Sequence, residues 1–297
     1  MRIPETQKNK PKKMNANQDP PGNVWSIILK IAIPKKIIAA NWKNNGSTKF
    51  VKDYFDFFLK NKNSNNEIII FPPDLYINQV NSYKNKKSFS IGGQRINTDG
   101  GDTHTSGTTS KMFIDNGCDY ILVGHSEIRS LIDQVTFGAA KDLYGSSGLQ
   151  TIFCVGEDED TKNSGNTSNV LESQLEDLCN KENYPTDHLL DQKVDNIKQC
   201  TNTSLEKAII AYEPVWAIGS GNTPNIKDIS FIHRFIKTYV SENHPFTKEK
   251  DIMVLYGGSV NSKNAKDILS APYVDGVLIG GASLDVKEFT KICNLNI

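Results

Sequence analysis

Glu213 closes the apolar run Ile209-Ile210-Ala211-Tyr212 and is followed at once by Pro214. A carboxylate in that place faces either an open mouth or a buried partner, and it is available as a base. Other short apolar runs end in residues that complement it. One ends in Asn41-Trp42-Lys43 and another in Gly124-His125-Ser126-Glu127. Two more run into the glycine turns Gly257-Gly258-Ser259 and Gly280-Gly281. Together these offer a cation, a proton shuttle, a base, and backbone N–H groups that a phosphate can approach closely. The set suits proton abstraction next to a carbonyl in a phosphorylated substrate. Taken singly, Lys43 reads as a solvated tip, His125 as a satisfied structural histidine and Gly257-Gly258 as a tight turn. Their recurrence at matching ends of different apolar runs makes those readings improbable as a group.

The elements that position these residues are short strands alternating with amphipathic stretches. The apolar runs predict strands over Lys36–Ala40, Glu67–Phe71, Phe89–Gln94, Tyr120–Gly124, Gln150–Gly156, Lys207–Tyr212, Asp251–Tyr256 and Gly276–Ile279. Near-continuous Ile, Val and Leu is what parallel strands covered on both faces require. Between them, Phe50, Val51, Tyr54, Phe57 and Phe58 predict one helix stripe, and Phe231, Ile232, Phe235, Ile236 and Val240 another. Eight strand–helix units without a break in composition predict an α/β fold, a single (β/α)8 TIM barrel over residues 36–297. In such a barrel the reactive groups stand at the C-terminal ends of the strands, where Lys43, His125 and Glu213 fall. The fifth connection, Asp158 to Glu206, is too long for one unit. Its two helical stretches and polar segments predict a surface insertion around 180–202. Residues 1–35 form a basic extension with too little apolar surface to order itself.

Composition narrows the partners. The 297 residues carry 34 Lys plus Arg against 34 Asp plus Glu, so net charge gives no reason to expect nucleic acid or an anionic membrane. An anionic substrate must then be held locally. The segment Val24–Ile33 is interrupted by Lys30 and too short to span a bilayer. The five cysteines are scattered without CxxC spacing, as expected of reduced thiols. Cys154 reads as a buried strand thiol. No cluster of His and Asp ligands stands out, so neither metal nor cofactor is expected. The cytoplasm is the compartment expected, with an organelle as the alternative if the basic extension is a targeting leader.

Five segments carry a resemblance: Ala40-Asn41-Trp42-Lys43, Val123-Gly124-His125-Ser126-Glu127, Ala211 to Gly219, Tyr256-Gly257-Gly258-Ser259-Val260 and Gly280-Gly281-Ala282-Ser283-Leu284. In this order they resemble the signature segments of the triosephosphate isomerases, and Cys154 to Glu157 has its place in the same pattern. The resemblance implies interconversion of dihydroxyacetone phosphate and D-glyceraldehyde 3-phosphate through an enediolate, the step shared by glycolysis and gluconeogenesis. It implies Glu213 as base and a neutral His125 as shuttle, kept uncharged by the helix beginning near Ser126-Glu127. Lys43, with Asn41 beside it, would stabilise the oxyanion and phosphate, and Glu127 would tie the network together. Backbone N–H groups of Gly219, Ser259, Gly280 and Gly281 would bind phosphate. Pro214 to Thr223 would be a mobile lid carrying Trp216, Ile218 and Gly219, working against Tyr256 and Leu278. A homodimer is implied too.

The chain departs from the family at two places. The second hinge of the lid reads Asn222-Thr223-Pro224 where the family usually begins with Lys. The loop that reaches into the partner reads Ser106-Gly107-Thr108 where a Thr-Gly-Glu tip is usual, and its usual Arg partner is Ile128. Both ends of that ion pair are replaced together, so no charge is stranded. Arg95 stands where the family commonly has Asn. Two other functions compete: a barrel kept only for binding or scaffolding, and a metal-dependent sugar-phosphate epimerase.

Overall fold

The computed structural model describes residues 35–84, 88–97, 105, 107–129, 148–179, 208–243 and 248–297. The basic extension up to residue 34, Ser106 and the segment 180–202 fall outside them. Eight strands close into a parallel barrel in sequence order: β1 Ile37–Asn41, β2 Glu67–Phe71, β3 Ser90–Gly93, β4 Tyr120–Val123, β5 Gln150–Val155, β6 Ile209–Tyr212, β7 Met253–Tyr256 and β8 Gly276–Ile279. Closure runs through β1 against β8, with Ile37 beside Gly276 and Ala40 beside Ile279. Each predicted strand is present: β2 and β8 keep their predicted bounds, β1 is shifted one residue onward to Asn41, and the other five are shorter by one or two residues at one or both ends.

The unbroken apolar runs divide by a period of two. Ile37 and Ala39 pack inside the barrel with Ile69, Phe71, Leu122, Ile152, Cys154, Ala211, Leu255 and Leu278. Ile38 and Ala40 point outward, into the larger core beneath the helices. The interior is therefore a packed plug, and reactive chemistry is confined to the rim.

The helix Thr48–Asn61 starts where Ser47 Oγ accepts the Phe50 N–H at 3.0 Å. It buries Val51, Tyr54, Phe55 and Phe58. The predicted stripe is corrected: Phe50 and Phe57 are only half-buried, and Phe55, which the prediction left out, is buried. The set 51, 54, 55, 58 follows the 3.6-residue turn, while 57, one residue before 58, is rotated about 100° away from it. The helix Ile226–Asn243 is corrected more severely. Its buried side is Ile229, His233, Ile236 and Val240, and Phe231 is 67% exposed. His233 fills a core position as a neutral ring, its pKa driven down to about 3 by burial, and its Nδ1 lies 3.3 Å from the Tyr273 carbonyl. Two helices, Glu159–Asn163 and Thr167–Cys179, follow β5 as expected. Among the described residues no helix is long and apolar enough to cross a membrane.

Phe55 stacks on Tyr83 and Phe89 at 5.0 Å each and meets Tyr54 and Phe58. Phe55→Ala is expected to destabilise the fold by about 3–5 kcal/mol, read as a lowered urea midpoint. Phe57→Ala should cost much less, and equal losses would contradict the corrected stripe.

Candidate active site

The rim residues come from four strand ends. Beyond β1, Trp42 is fully buried against Phe50 and Tyr54, with ring centroids 5.1 and 4.9 Å away. That anchor fixes the turn in which Lys43 takes the left-handed φ of 51°. A lysine there carries strain on the order of 1–3 kcal/mol. Asn41 Oδ1 accepts the Lys43 amide at 2.9 Å.

Beyond β4, His125 is buried, and its Nδ1 accepts the Glu127 N–H at 3.3 Å. A donor aimed at Nδ1 leaves the neutral ring's proton on Nε2, and Nε2 lies 3.2 Å from Glu213 Oε1. Glu213 Oε2 accepts the Ser126 N–H at 2.9 Å. The described part of the helix here is only Ser126–Arg129. Two N–H groups at its start point into the site, one to the imidazole and one to the carboxylate.

Beyond β6, Glu213 is only 2% exposed. Its backbone is pinned by its own N–H to the Val155 carbonyl at 2.7 Å. The neighbouring chain passes so close that a Cβ on Gly156 would lie 1.8 Å from the Glu213 carbonyl oxygen. Beneath it, Cys154 is fully buried, and burial, then the nearby Glu213 charge, push its thiol well above the usual range. Full burial of that thiol fits a structural cysteine.

Across the rim, Lys43 Nζ meets Glu127 Oε1 at 2.6 Å. Partial burial pulls the Glu127 carboxyl upward. The hydrogen bond and charge of Lys43 outweigh it and leave the group below its ordinary value. The side chains of Asn41, Lys43, His125 and Glu213 face a cavity of about 290 Å3. Gly219, Ser259, Gly280, Gly281, Ile218 and Leu278 line its other walls. All the residues expected to hold phosphate are thus brought together with the three that bear charge or a proton. Among the described residues no three His, Cys, Asp or Glu side chains group closely enough to hold a metal ion.

The segment after Pro214 begins with a short 3-10 turn, Val215–Ala217. Gly219 and Gly221 take φ of 67° and 77°, a conformation costly for any residue with a Cβ. Ser259 Oγ ties both stems, donating to the Ala217 carbonyl at 2.7 Å and accepting the Gly221 N–H at 3.3 Å. Tyr256 lies beneath, its hydroxyl 2.2 Å from where a Cβ on Gly258 would stand.

The role of Glu157 was not legible in the sequence. This carboxylate, 2% exposed, takes two donors on one oxygen: Tyr212 Oη at 3.0 Å and Trp216 Nε1 at 2.9 Å. Its carbonyl accepts the Val215 N–H at 3.0 Å. Lys162 Nζ stands 3.4 Å above the Trp216 ring. Its position after Gly156 at a strand end was the available signal, but nothing in the spacing named its partners. Gln94 is a second such residue. It sits just past β3 and donates to the carbonyls of both Lys43 and Phe71.

Comparison with known proteins gives a consistent result. The family model described as triosephosphate isomerase matches residues 36–296. A triosephosphate isomerase of Buchnera aphidicola subsp. Schizaphis graminum is 37% identical over 268 residues, covering 88% of this chain and 98% of that protein. One of Shewanella frigidimarina is 32% identical over 275 residues, with 89% and 98% covered.

Burial raises the Glu157 carboxyl above its ordinary value, against the pull of its Trp216 and Tyr212 hydrogen bonds. A raised acid favours the fold while protonated, and that contribution is lost as pH rises through the raised value. Glu157→Gln cannot ionise and should lack this dependence. The stability of the wild type relative to Glu157→Gln should therefore decline from about pH 4 upward, measured by urea unfolding across a pH series. A difference that stays flat or grows with pH would contradict the assignment.

Proposed function

The chain belongs to the triosephosphate isomerase family and is an isomerase, and from that premise we propose how its residues divide the work. The substrate is a triose phosphate, exchanged between dihydroxyacetone phosphate and D-glyceraldehyde 3-phosphate. The observation that carries this reading is the meeting of Glu213 and His125, from two different strand ends, at 3.2 Å on the wall of a cavity that Lys43 also faces.

Phosphate sits against the N–H groups of Gly219, Ser259, Gly280 and Gly281. The carbonyl oxygen lies between His125 Nε2–H and Lys43 Nζ, with Asn41 beside it. Glu213 leaves its two hydrogen bonds and takes the proton from the carbon next to the carbonyl. The negative charge passes to the oxygen, where His125 and Lys43 stabilise the enediolate. His125 then carries a proton between the two oxygens, and Glu213 returns its own to the neighbouring carbon. Glu127 restrains the ammonium from the far side. The lid from Pro214 to Thr223 lowers Ile218 toward Leu278 and Glu213, excluding water. Losing water strengthens the carboxylate as a base and protects the enediolate.

We also propose a homodimer. Thr108 Oγ1 donates to Asp74 Oδ2 at 2.5 Å within the same chain. Beside that bond Leu75 is 88% exposed and Met112 54%, apolar side chains that a second copy would cover. Because an internal hydrogen bond occupies Thr108, this interface would rest on apolar burial in place of an ion pair. As the compartment we propose the cytoplasm.

Glu213→Asp withdraws the carboxylate by about 1 Å and should lower turnover on the order of 10²-fold or more. A coupled assay on glyceraldehyde 3-phosphate with chelator present measures it. Unchanged turnover in that variant would remove Glu213 as the base. Activity of the wild type that vanishes with chelator would favour the epimerase reading, and no activity at all the binding barrel. Sedimentation should give twice the chain mass, and a monomer at every concentration would refute the dimer.

A further inference from the structure

Lys43 needs an explanation that its own sequence neighbours do not provide. Its φ of 51° is one that a residue with a Cβ keeps only where its surroundings enforce it. Asn41 holds one side, through the Lys43 amide. The other side is held from a different strand. Gln94 Nε2 donates to the Lys43 carbonyl at 2.8 Å and to the Phe71 carbonyl at 2.9 Å. The Phe71 carbonyl also accepts the Trp42 N–H at 3.0 Å. One carboxamide nitrogen, with its two hydrogens, thereby binds the ends of β1 and β2 from the end of β3.

We propose that Gln94 is a positioning residue for the isomerisation, clamping the Lys43 carbonyl so that the ammonium is aimed into the cavity. This rests on the role proposed above for Lys43. Gln94 does not itself line the cavity, so it acts through Lys43 and not on substrate. The chemistry of the clamp is narrow. It needs two N–H donors on one uncharged nitrogen, which the terminal amides of Gln and Asn supply, and Asn is one methylene shorter. A glutamate in its place, when ionised, offers only acceptors to two carbonyl oxygens. With the clamp gone, rotation about the Lys43 backbone carries the side chain out of line with His125. The contact with Glu127 at 2.6 Å then holds an ammonium in the wrong place.

The test uses Gln94→Glu, with Gln94→Ala as the variant that removes the clamp without adding charge. Gln94 is half-buried and outside the core, so both are expected to fold, checked by thermal unfolding. Each should lose about 10- to 100-fold in kcat/KM. Crystal structures of the variants should show residue 43 outside the left-handed region. The loss should largely disappear in a Lys43→Arg background, where the same clamp no longer aims an ammonium. Unchanged kcat/KM in both Gln94 variants would overturn the proposal. So would lost activity with Lys43 still at positive φ, which would mean that Gln94 acts elsewhere. A Lys43→Ala enzyme with full activity would instead overturn the role of Lys43 itself, and this inference with it.

Discussion

Backbone hydrogen bonds between Ile37–Ala40 and Gly276–Ile279 close the sheet, and the geometry of the rim depends on that closure. In an open parallel sheet, β1 and β8 would be opposite edges, and Lys43 and Gly280 would stand far apart. Joined, they bring a cation and a pair of glycine N–H groups to one cavity. Closure also sets the tolerance. Strand ends fixed in a ring cannot slide, so Gly156 lies against the Glu213 backbone with no room for a methyl group. Glu213 thus sits on the most rigid kind of support a protein offers, while its carboxylate turns on a flexible side chain.

Hydrogen bonds, not net charge, dominate this rim. With charges balanced across the chain, the polarity that matters comes from a few oriented groups. Ser126 N–H holds Glu213, Glu127 N–H selects the imidazole tautomer, and Gln94 restrains Lys43. These contacts are local and do not decay with salt as surface charges do. Glu157 does for the segment after Pro214 what these do for the rim. By receiving Tyr212 from β6 and Trp216 from the segment after Pro214 on one oxygen, it fixes where that segment leaves the barrel.

The barrel and the rim residues were legible in the sequence because both are written in local patterns. Buried parallel strands need unbroken apolar runs, and the rim residues follow those runs directly. What was not legible depended on direction in space. Phe55 and Phe57 are equally apolar, and only the helix phase against Trp42 and Phe89 separates them. Phe231 belongs to an apolar cluster in the sequence, yet the helix turns it toward solvent, while polar His233 goes inside. Gln94 and Glu157 act through partners 23 to 59 residues away in sequence, and no spacing rule reaches that far. Residue type named the reacting groups, and the tertiary fold chose the groups that hold them.

The packed plug of Ile69, Phe71, Ile152, Leu255 and Leu278 bears on traffic as well as on stability. A barrel so filled has no through-passage, so whatever enters the cavity must leave by the same doorway. For a reversible exchange between two isomers of equal size and charge, arrival and departure then compete at a single gate. Each isomer hinders entry of the other in proportion to its abundance. A protein built this way cannot set the direction of flow, and it returns whatever ratio its surroundings dictate.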